Sequence, residues 1–469
     1  MIRFGTGGWR AKIGEDFHMA NVRLVAQGLA NNLLQDGRAE KPVVIGYDRR
    51  FLSAEAAAWM AEVLTGNGIP IWIMNRSVPT PLVMYLVKQC GLYRGVEITA
   101  SHNPSNYNGI KIIVEEGRDA PTEVTQRLER EIGLVSECRS VPLDEAGAQG
   151  LITRLKNPFN GFIDSILSFI DTDAIRERGP RILFDSMHGS STYPLTVILN
   201  TARCTVDQIH GDKDAYFGGL MPAPSESTMG ELKNRVLYGG YDLGIAVDGD
   251  GDRLGIIDGK GRYISANEIL VLLYYYLHEY RGWKGPAVRN LATTHLLDRV
   301  AESLGETCYE VPVGFKYISA KIDEVDAVLG GESSGGLTVR GHIHGKDSVY
   351  ASALFVEMLS RTGKHPSELI REISEPFGPY VMQESNIAFR AEDRAALQKR
   401  IMEDHELPVF ETEPVRVGYL DGCKAYFADD SFVICRFSGT EPLLRIFAEA
   451  HSAERAQGYI QKWKAILGL

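Results

Sequence analysis

The 469-residue chain has no C-x-x-C pair; its six cysteines, at 90, 138, 204, 308, 423 and 435, are scattered. Neither a cysteine zinc site nor a disulfide framework is indicated, and reduced structural thiols are expected. Long apolar runs are missing as well. The densest, "ILVLLYYYL" at 269–277, is too short to span a bilayer, and the start "MIRFGTGGWRAKIGEDF" lacks the uninterrupted apolar stretch of a signal peptide. A cytoplasmic protein without membrane partners is expected. Basic residues are in deficit, and a formal charge of -11 speaks against nucleic acid as a partner, because phosphate-backbone affinity needs concentrated Lys and Arg. Any anionic ligand must be met by a local positive cluster. No Gly-Lys-Ser/Thr nucleotide loop is present, which disfavours a kinase.

What the chain does have is length and apolar content. At 44% hydrophobic residues, it can bury several cores, roughly three or four at about 150 residues per domain. Short β-branched runs alternate with helical patterns, as in α/β domains. "KPVVIGYD" reads as a buried strand ending at Asp48. Ser53 is placed to cap a helix whose Met60, Val63 and Leu64 share a face and which Gly66 closes, before "IPIWIM" resumes as strand. Similar units follow at 180–189, 241–253, 308–316 and 326–336, each an apolar strand stopping at a polar, Gly-rich loop. Ligands of α/β sheets gather beyond the carboxyl ends of strands, so these loops are where a site is sought. Connections are expected at 136–151 and 374–380, with a further break at 258–263 between the Asp-rich loop and a helix.

Among the loops, "DGDGDR" at 248–253 is the sharpest signal: three alternate aspartates can converge on one hard divalent cation. It is not an EF-hand, whose sixth and twelfth positions would fall on Arg253 and Gly259 instead of Gly and Glu. Three carboxylates leave a magnesium ion open positions, which phosphate oxygens commonly fill. "RFSGTEPLLR" puts Ser438, Gly439 and Thr440 in a turn between strands, with Arg436 and Arg445 near enough to hold a phosphate. "GTGGWR" fails as a dinucleotide fingerprint, since Arg10 replaces the third glycine; a glycine turn aiming Arg10 at an anion fits better. In "GGESSGG", Glu332 and Ser334 offer acceptors suited to sugar hydroxyls. His342 and His344 in "RGHIHGKD" announce no third metal ligand, so a polar loop around Lys346 is the reading there.

"TASHNPSNYNGIK" at 99–111 sets Ser101 beside His102. It lacks the G-x-S-x-G of a nucleophile elbow, and neighbours in an extended chain point to opposite sides, which places His102 poorly as a base for Ser101. Ser105 to Gly109 read as the turn that returns the chain to Lys111.

Together, "GTGGWR", "TASHNPSNYNGIK", "DGDGDR", "GGESSGG" and "RFSGTEP", in this order and spacing, resemble the α-D-phosphohexomutase superfamily over nearly the whole chain. The resemblance implies a heart-shaped enzyme with a central cleft: three related α/β domains with mixed sheets and a smaller α+β C-terminal domain. The expected divisions are 1–150 with the phosphoserine loop, 151–259 with the metal loop, 260–373 with the sugar loop and 380–469 with the phosphate loop. It implies that Ser101 carries a phosphoryl group and, with Asp248, Asp250 and Asp252, binds Mg²⁺. Hexose 1-phosphate and 6-phosphate would interconvert through a hexose 1,6-bisphosphate, which also serves as activator. Arg10, His102, Lys111 and Arg253 match the residues around the phosphoserine. Glu332 and Ser334 match the sugar loop, and Arg436, Ser438, Gly439, Thr440 and Arg445 the phosphate grip. Lys316, His342 and Lys346 are further substrate contacts. Many relatives read G-E-x-S-G-H in the sugar loop where this chain has Gly336, so the proton-transfer role of that histidine falls to His342, Lys111 or Lys346. Phosphoglucomutase is the expected activity. Phosphomannomutase and phosphoglucosamine mutase are the alternatives within the family, and a sugar-phosphate phosphatase or a noncatalytic sugar-phosphate-binding relative outside it.

Overall fold

The computed structural model describes residues 2–5, 7–438 and 442–468. The chain forms two compact units, one of residues 1–269 with 334–367 and the other of 270–333 with 368–469.

The first unit holds two mixed sheets. Its first comprises β1 (Trp9–Lys12), β2 (Val43–Tyr47), β3 (Ile71–Met74), β4 (Arg94–Ile98), β5 (Tyr107–Val114), β6 (Arg118–Asp119) and β7 (Ile152–Leu155). Their order is β1-β5-β4-β2-β3-β7, with β6 on β5. The β-branched centres of β2 and β4 are wholly buried, as strands covered on both faces must be. The helix Met19–Gln35 covers one face: Val22, Val25, Ala26, Leu29, Ala30 and Leu33 recur at helical spacing and are buried. They join Ile45, Met60, Leu64, Ile98 and Ile110 in one core. The second sheet contains β8 (Arg181–Asp185), β9 (Thr205–Ile209), β10 (Leu243–Val247), β11 (Leu254–Asp258) and β12 (Tyr263–Ile264), in the order β12-β11-β10-β8-β9.

In the second unit, β13 (Ala287–Asn290) lies between and parallel to β14 (Cys308–Val311) and β15 (Leu329–Gly331). The short β16 (Leu337–Val339) falls in the first unit. An antiparallel sheet of β17 (Val381–Ala388), β18 (Arg416–Gly418), β19 (Cys423–Tyr426), β20 (Phe432–Phe437) and β21 (Leu443–Ala450) runs β17-β21-β20-β19-β18. The helix Ala453–Leu467 buries Tyr459, Ile460 and Trp463 in the core of this C-terminal sheet.

Three parallel triplets repeat one order, third, first, second: β4-β2-β3, β10-β8-β9 and β15-β13-β14. The expected three related α/β modules and the smaller C-terminal domain are thus the observed fold. In every triplet a polar loop follows the third strand, and these three loops carry Ser101, the aspartates and Glu332.

Local details differ from expectation. Ser53 is the first residue of its helix, not the cap. Leu52 holds the cap position in a left-handed conformation (φ 62°), and the Ser53 hydroxyl instead donates to Asp48 Oδ1 at 2.7 Å. Gly66 does close that helix as its last residue, with Asn67 in the cap position. Glycine is needed at 66 because a β-carbon there would lie 2.7 Å from the carbonyl oxygen of Arg139. Tyr107 to Gly109 already belong to β5, so the turn is over by residue 106. Residues 258–263 hold the hairpin between β11 and β12, just ahead of the helix Ala266–Glu279. Beyond the expected boundary at 150, β7 pairs with β3 and extends the first sheet. Among the described residues, no helix is long and apolar enough to cross a membrane.

Candidate functional site

Ser101 sits in the β4–β5 connection with φ 53°, a left-handed conformation that non-glycine residues adopt only when their surroundings hold them there. Its N–H donates to Thr99 Oγ1 at 2.8 Å, the Thr99 hydroxyl donates to Asp48 Oδ2 at 2.6 Å, and Asp48 is wholly buried. The same twist changes the relation to the neighbouring histidine. Because the chain is not extended here, Ser101 Oγ lies 3.2 Å from His102 Nδ1, which corrects the expectation that the two side chains point apart. The hydroxyl also reaches Asp248 Oδ2 at 3.3 Å.

That aspartate opens the β10–β11 turn. Asp248, Asp250 and Asp252 are at most 1% exposed and offer carboxylate oxygens all within 4.8 Å of one another. Backbone N–H groups of Asp252 and Arg253 hold Asp248 Oδ1 at 2.8 and 2.9 Å. Thr80 donates its hydroxyl to Asp250 Oδ2 at 2.7 Å and its N–H to the Asp250 carbonyl at 2.8 Å. From the N-terminus of the buried helix Ser348–Thr362, the Ser348 hydroxyl donates to the Gly251 carbonyl at 2.6 Å. Lys111 Nζ bridges Asp250 Oδ2 and Asp252 Oδ2 at 2.6 and 2.7 Å, and Lys346 Nζ meets Asp252 Oδ2 at 2.8 Å. After these bonds Asp250 Oδ1 and Asp252 Oδ1 remain buried with no hydrogen-bond partner. Buried carboxylate oxygens left over in this way are costly unless a cation takes them. With Asp248 Oδ2 and Ser101 Oγ they form an all-oxygen donor set of the kind magnesium takes.

Charges of both signs are concentrated here. Burial, then repulsion from Asp250 and Asp252, pushes Asp248 well above the usual carboxylate range. Burial acts the same way on Asp252, but Lys111, Lys346 and Arg253 outweigh it and hold that carboxyl well below. Burial also opposes the Lys111 ammonium, and the Asp250 and Asp252 carboxylates more than compensate, so its pKa rises. On the other side of Ser101, burial and the Arg253 and Arg10 guanidinia push His102 well below the ordinary histidine value, leaving it neutral near pH 7. Arg10 is lowered by burial and by Arg253, and Arg253 Nε is buried without a hydrogen-bond partner. Arg10 Nη1 donates to Asn103 Oδ1 at 2.8 Å. Mutually repelling cations kept together under a serine are an arrangement that an anion relieves.

Of the residues singled out in the sequence, the first unit brings together Ser101, His102, Arg10, Lys111, the three aspartates, Arg253 and Lys346. Ser334, in the same unit, is exposed. His342 is buried and directed at Asp347, 2.7 Å from Nε2 to Oδ2; Asp347 in turn accepts from the N–H groups of Val349 and Tyr350 and so caps the helix that begins at Ser348. Gly336 has a clear physical reason: a β-carbon there would lie 2.2 Å from Lys346 Cδ, so the Lys346 stem occupies the space of the missing side chain. In the second unit, Glu332 accepts from Asn290 Nδ2 at 3.0 Å and from the Gly314 N–H at 3.3 Å, and half-buried Lys316 lies over the Tyr317 ring. Arg436 and Arg445 stand directly opposite on β20 and β21, a like-charge pair that costs stability by itself. Arg436 is also 3.1 Å from Asp421 Oδ2. Ser438 is buried, and its carbonyl accepts from Arg394 at 3.0 Å. Gly439 and Thr440 lie outside the described residues. Sequence reasoning missed Thr80, Asp48 and Thr99. Thr80 is remote from the aspartates in the chain, and only Asp48, at the end of a buried strand, carried a visible signal.

Comparison with known proteins identifies the family. Models of the phosphoglucomutase/phosphomannomutase α/β/α domains I, II and III match residues 1–137, 160–261 and 265–377, and that of the C-terminal domain matches 389–463. A Thermococcus kodakarensis phosphoglucomutase/phosphomannomutase is 29% identical over 98% of this chain and 96% of its own. A protein of Methanopyrus kandleri, named a probable phosphoglucosamine mutase, is 30% identical over 97% of this chain and 95% of its own. The solved structure of a Thermus thermophilus protein assigned as a phosphomannomutase superposes with a TM-score of 0.86 at 27% identity, covering 100% of this chain and 99% of that one. Fold and site define a phosphoryl-transfer enzyme of the isomerase type. The chain belongs to the phosphoglucomutase/phosphomannomutase family of α-D-phosphohexomutases.

Proposed function

We propose that the protein is an Mg²⁺-dependent phosphoglucomutase that uses Ser101 as its phosphoryl carrier and hexose 1,6-bisphosphate as intermediate and activator. The observation that carries this reading is the set of unpartnered Asp250 and Asp252 oxygens beside Ser101 Oγ and Asp248. Asp248, Asp250 and Asp252 would hold the ion, and Mg²⁺ when bound supplies charge neutralisation for a transferring phosphoryl group.

In the reaction, the bond from phosphorus to Ser101 Oγ breaks as a bond forms from phosphorus to a hydroxyl oxygen of the hexose monophosphate. The hydroxyl proton passes to a base of the enzyme. The bisphosphate reorients, a bond forms from Ser101 Oγ to the other phosphorus as its bond to the sugar oxygen breaks, and that oxygen takes the proton back from the base, releasing the isomer. Arg10 and Arg253 balance the phosphoryl charge. His102, neutral and 3.2 Å from Ser101 Oγ, is placed to hydrogen-bond the serine hydroxyl and orient it when the phosphate is absent. Lys346 is the favoured group for the sugar proton among the three candidates, because its stem fills the space over Gly336, the position of the histidine in many relatives. Glu332 and Ser334 would take ring hydroxyls. Arg436 and Arg445, with Ser438, Gly439, Thr440 and Lys316, would take the non-reacting phosphate.

A second reading, phosphoglucosamine mutase, is favoured by the name of the Methanopyrus kandleri relative. A coupled assay over glucose, mannose and glucosamine 1-phosphates, primed with trace hexose 1,6-bisphosphate, distinguishes them. Highest kcat/KM on glucose 1-phosphate is expected, and preference for the glucosamine ester would replace the first reading with the second.

A further inference from the structure

Arg50, two residues beyond Asp48, is 3% exposed and touches the Ser101 loop only through backbone oxygens. Its Nη2 donates to the carbonyls of Ser101 at 2.5 Å and Asn103 at 2.6 Å, and its Nη1 to those of Pro104 at 2.8 Å and Tyr107 at 3.1 Å. Nε lies 3.2 Å from Asp48 Oδ2, with both side chains fully buried. The Phe217 ring closes over the guanidinium, 4.8 Å from Cζ to ring centroid. Among the described residues, Arg50 makes no hydrogen bond to Asp248, Asp250 or Asp252.

Carbonyls of an ordinary surface turn are satisfied by water. Here four of them, from residues 101–107, turn inward onto one cation. Asp48 grips the same loop from the other side, because it orders Thr99, whose Oγ1 accepts the Ser101 N–H. Ser101 is therefore held at both its N–H and its C=O, and it is the residue of the loop with the left-handed φ of 53°. The planar fork of arginine can serve several acceptors in fixed directions; a lysine ammonium, a compact point charge with three donors, cannot.

We propose that Arg50 is a positioning residue for phosphoryl transfer, fixing the backbone conformation that presents Ser101 Oγ towards Asp248. The inference rests on the reading of Ser101 as phosphoryl carrier. Near-attack geometry is steep, so a loop relaxed by about 1 Å costs roughly 10²-fold in rate, whereas binding of the sugar by other residues is left intact.

The test is steady-state kinetics of Arg50→Lys with glucose 1-phosphate, normalised to folded protein by thermal melting, with Ser101→Ala alongside. A kcat lowered roughly 10²-fold at unchanged KM is expected. Wild-type kcat per folded molecule in Arg50→Lys, with Ser101→Ala inactive, overturns the positioning role alone. Turnover by Ser101→Ala sinks the underlying reading instead. Should Arg50→Lys not fold, Phe217→Leu loosens the guanidinium without removing it: a fall in kcat at constant KM supports the role, and an unchanged kcat overturns it.

Discussion

Replacing Gly336 with alanine is expected to disable the enzyme by moving a different residue. The new β-carbon would stand 2.2 Å from Lys346 Cδ and 2.8 Å from Cγ, whereas its third neighbour, the Asp252 carbonyl oxygen, is at a tolerable 3.4 Å. Ordinary carbon–carbon contact needs about 3.5 Å, so the Lys346 stem must retreat by about 1.3 Å. Its Nζ then leaves Asp252 Oδ2, now 2.8 Å away with that side chain 1% exposed. A hydrogen bond between charged groups in such a place is worth about 2 kcal/mol net, or roughly 30-fold in rate where the transition state relies on it. Asp252 keeps its 2.7 Å bond to Lys111, so the thermal midpoint should move little. The assay is the coupled mutase reaction on a double-mutant cycle with Lys346→Ala. Once the lysine stem is gone the added methyl has nothing to displace, so Gly336→Ala should be nearly silent in that background. An equal loss in both backgrounds, or none in either, would refute the reasoning.

Two further outcomes concern buried groups outside the chemistry. Glu97 in β4 is fully buried with both carboxylate oxygens unpartnered, and burial, then Asp48 and Asp250, raises its pKa well above the usual value. A raised carboxyl favours the fold below the unfolded pKa of about 4.5 and loses that advantage as pH rises towards the folded value. Glu97→Gln should therefore be more stable than wild type at pH 8, with a smaller gain near pH 5; lower stability at pH 8 in urea unfolding would contradict this. In the second unit, burial and the Lys424 and Arg289 cations push His295 down to about 4. Its unfolded pKa is about 6.5, so it contributes stability above that pH that is lost as pH falls towards 4, roughly 3 kcal/mol in all. Urea unfolding of the whole chain should show this acid sensitivity, and His295→Gln should flatten it; an unchanged slope would count against it.

Much of the site was legible because its chemistry is local in sequence. The aspartates share one turn, Ser101 and Lys111 flank one hairpin, and each loop follows an apolar strand whose burial the β-branched residues announced. Less legible was whatever depended on backbone conformation or on partners distant in the chain. The relation of His102 to Ser101 was misjudged because an extended chain was assumed where φ is 53°. Ser53 resembled a helix cap by residue type, yet its hydroxyl is spent on Asp48. Arg50 gave no sign of importance, since its four acceptors lie more than 50 residues away. The absence of a histidine at 336 was visible, but its cause, a lysine stem arriving from residue 346, was not.

The central claim is that Ser101 carries the phosphoryl group. Its most direct test is to incubate the protein with Mg²⁺ and glucose 1,6-bisphosphate labelled in phosphorus, then locate the label by peptide mass spectrometry. The account predicts phosphate on Ser101, absent in Ser101→Ala, and discharged by unlabelled hexose monophosphate into bisphosphate. Label on another residue, or release as inorganic phosphate as fast as transfer to sugar, would contradict it.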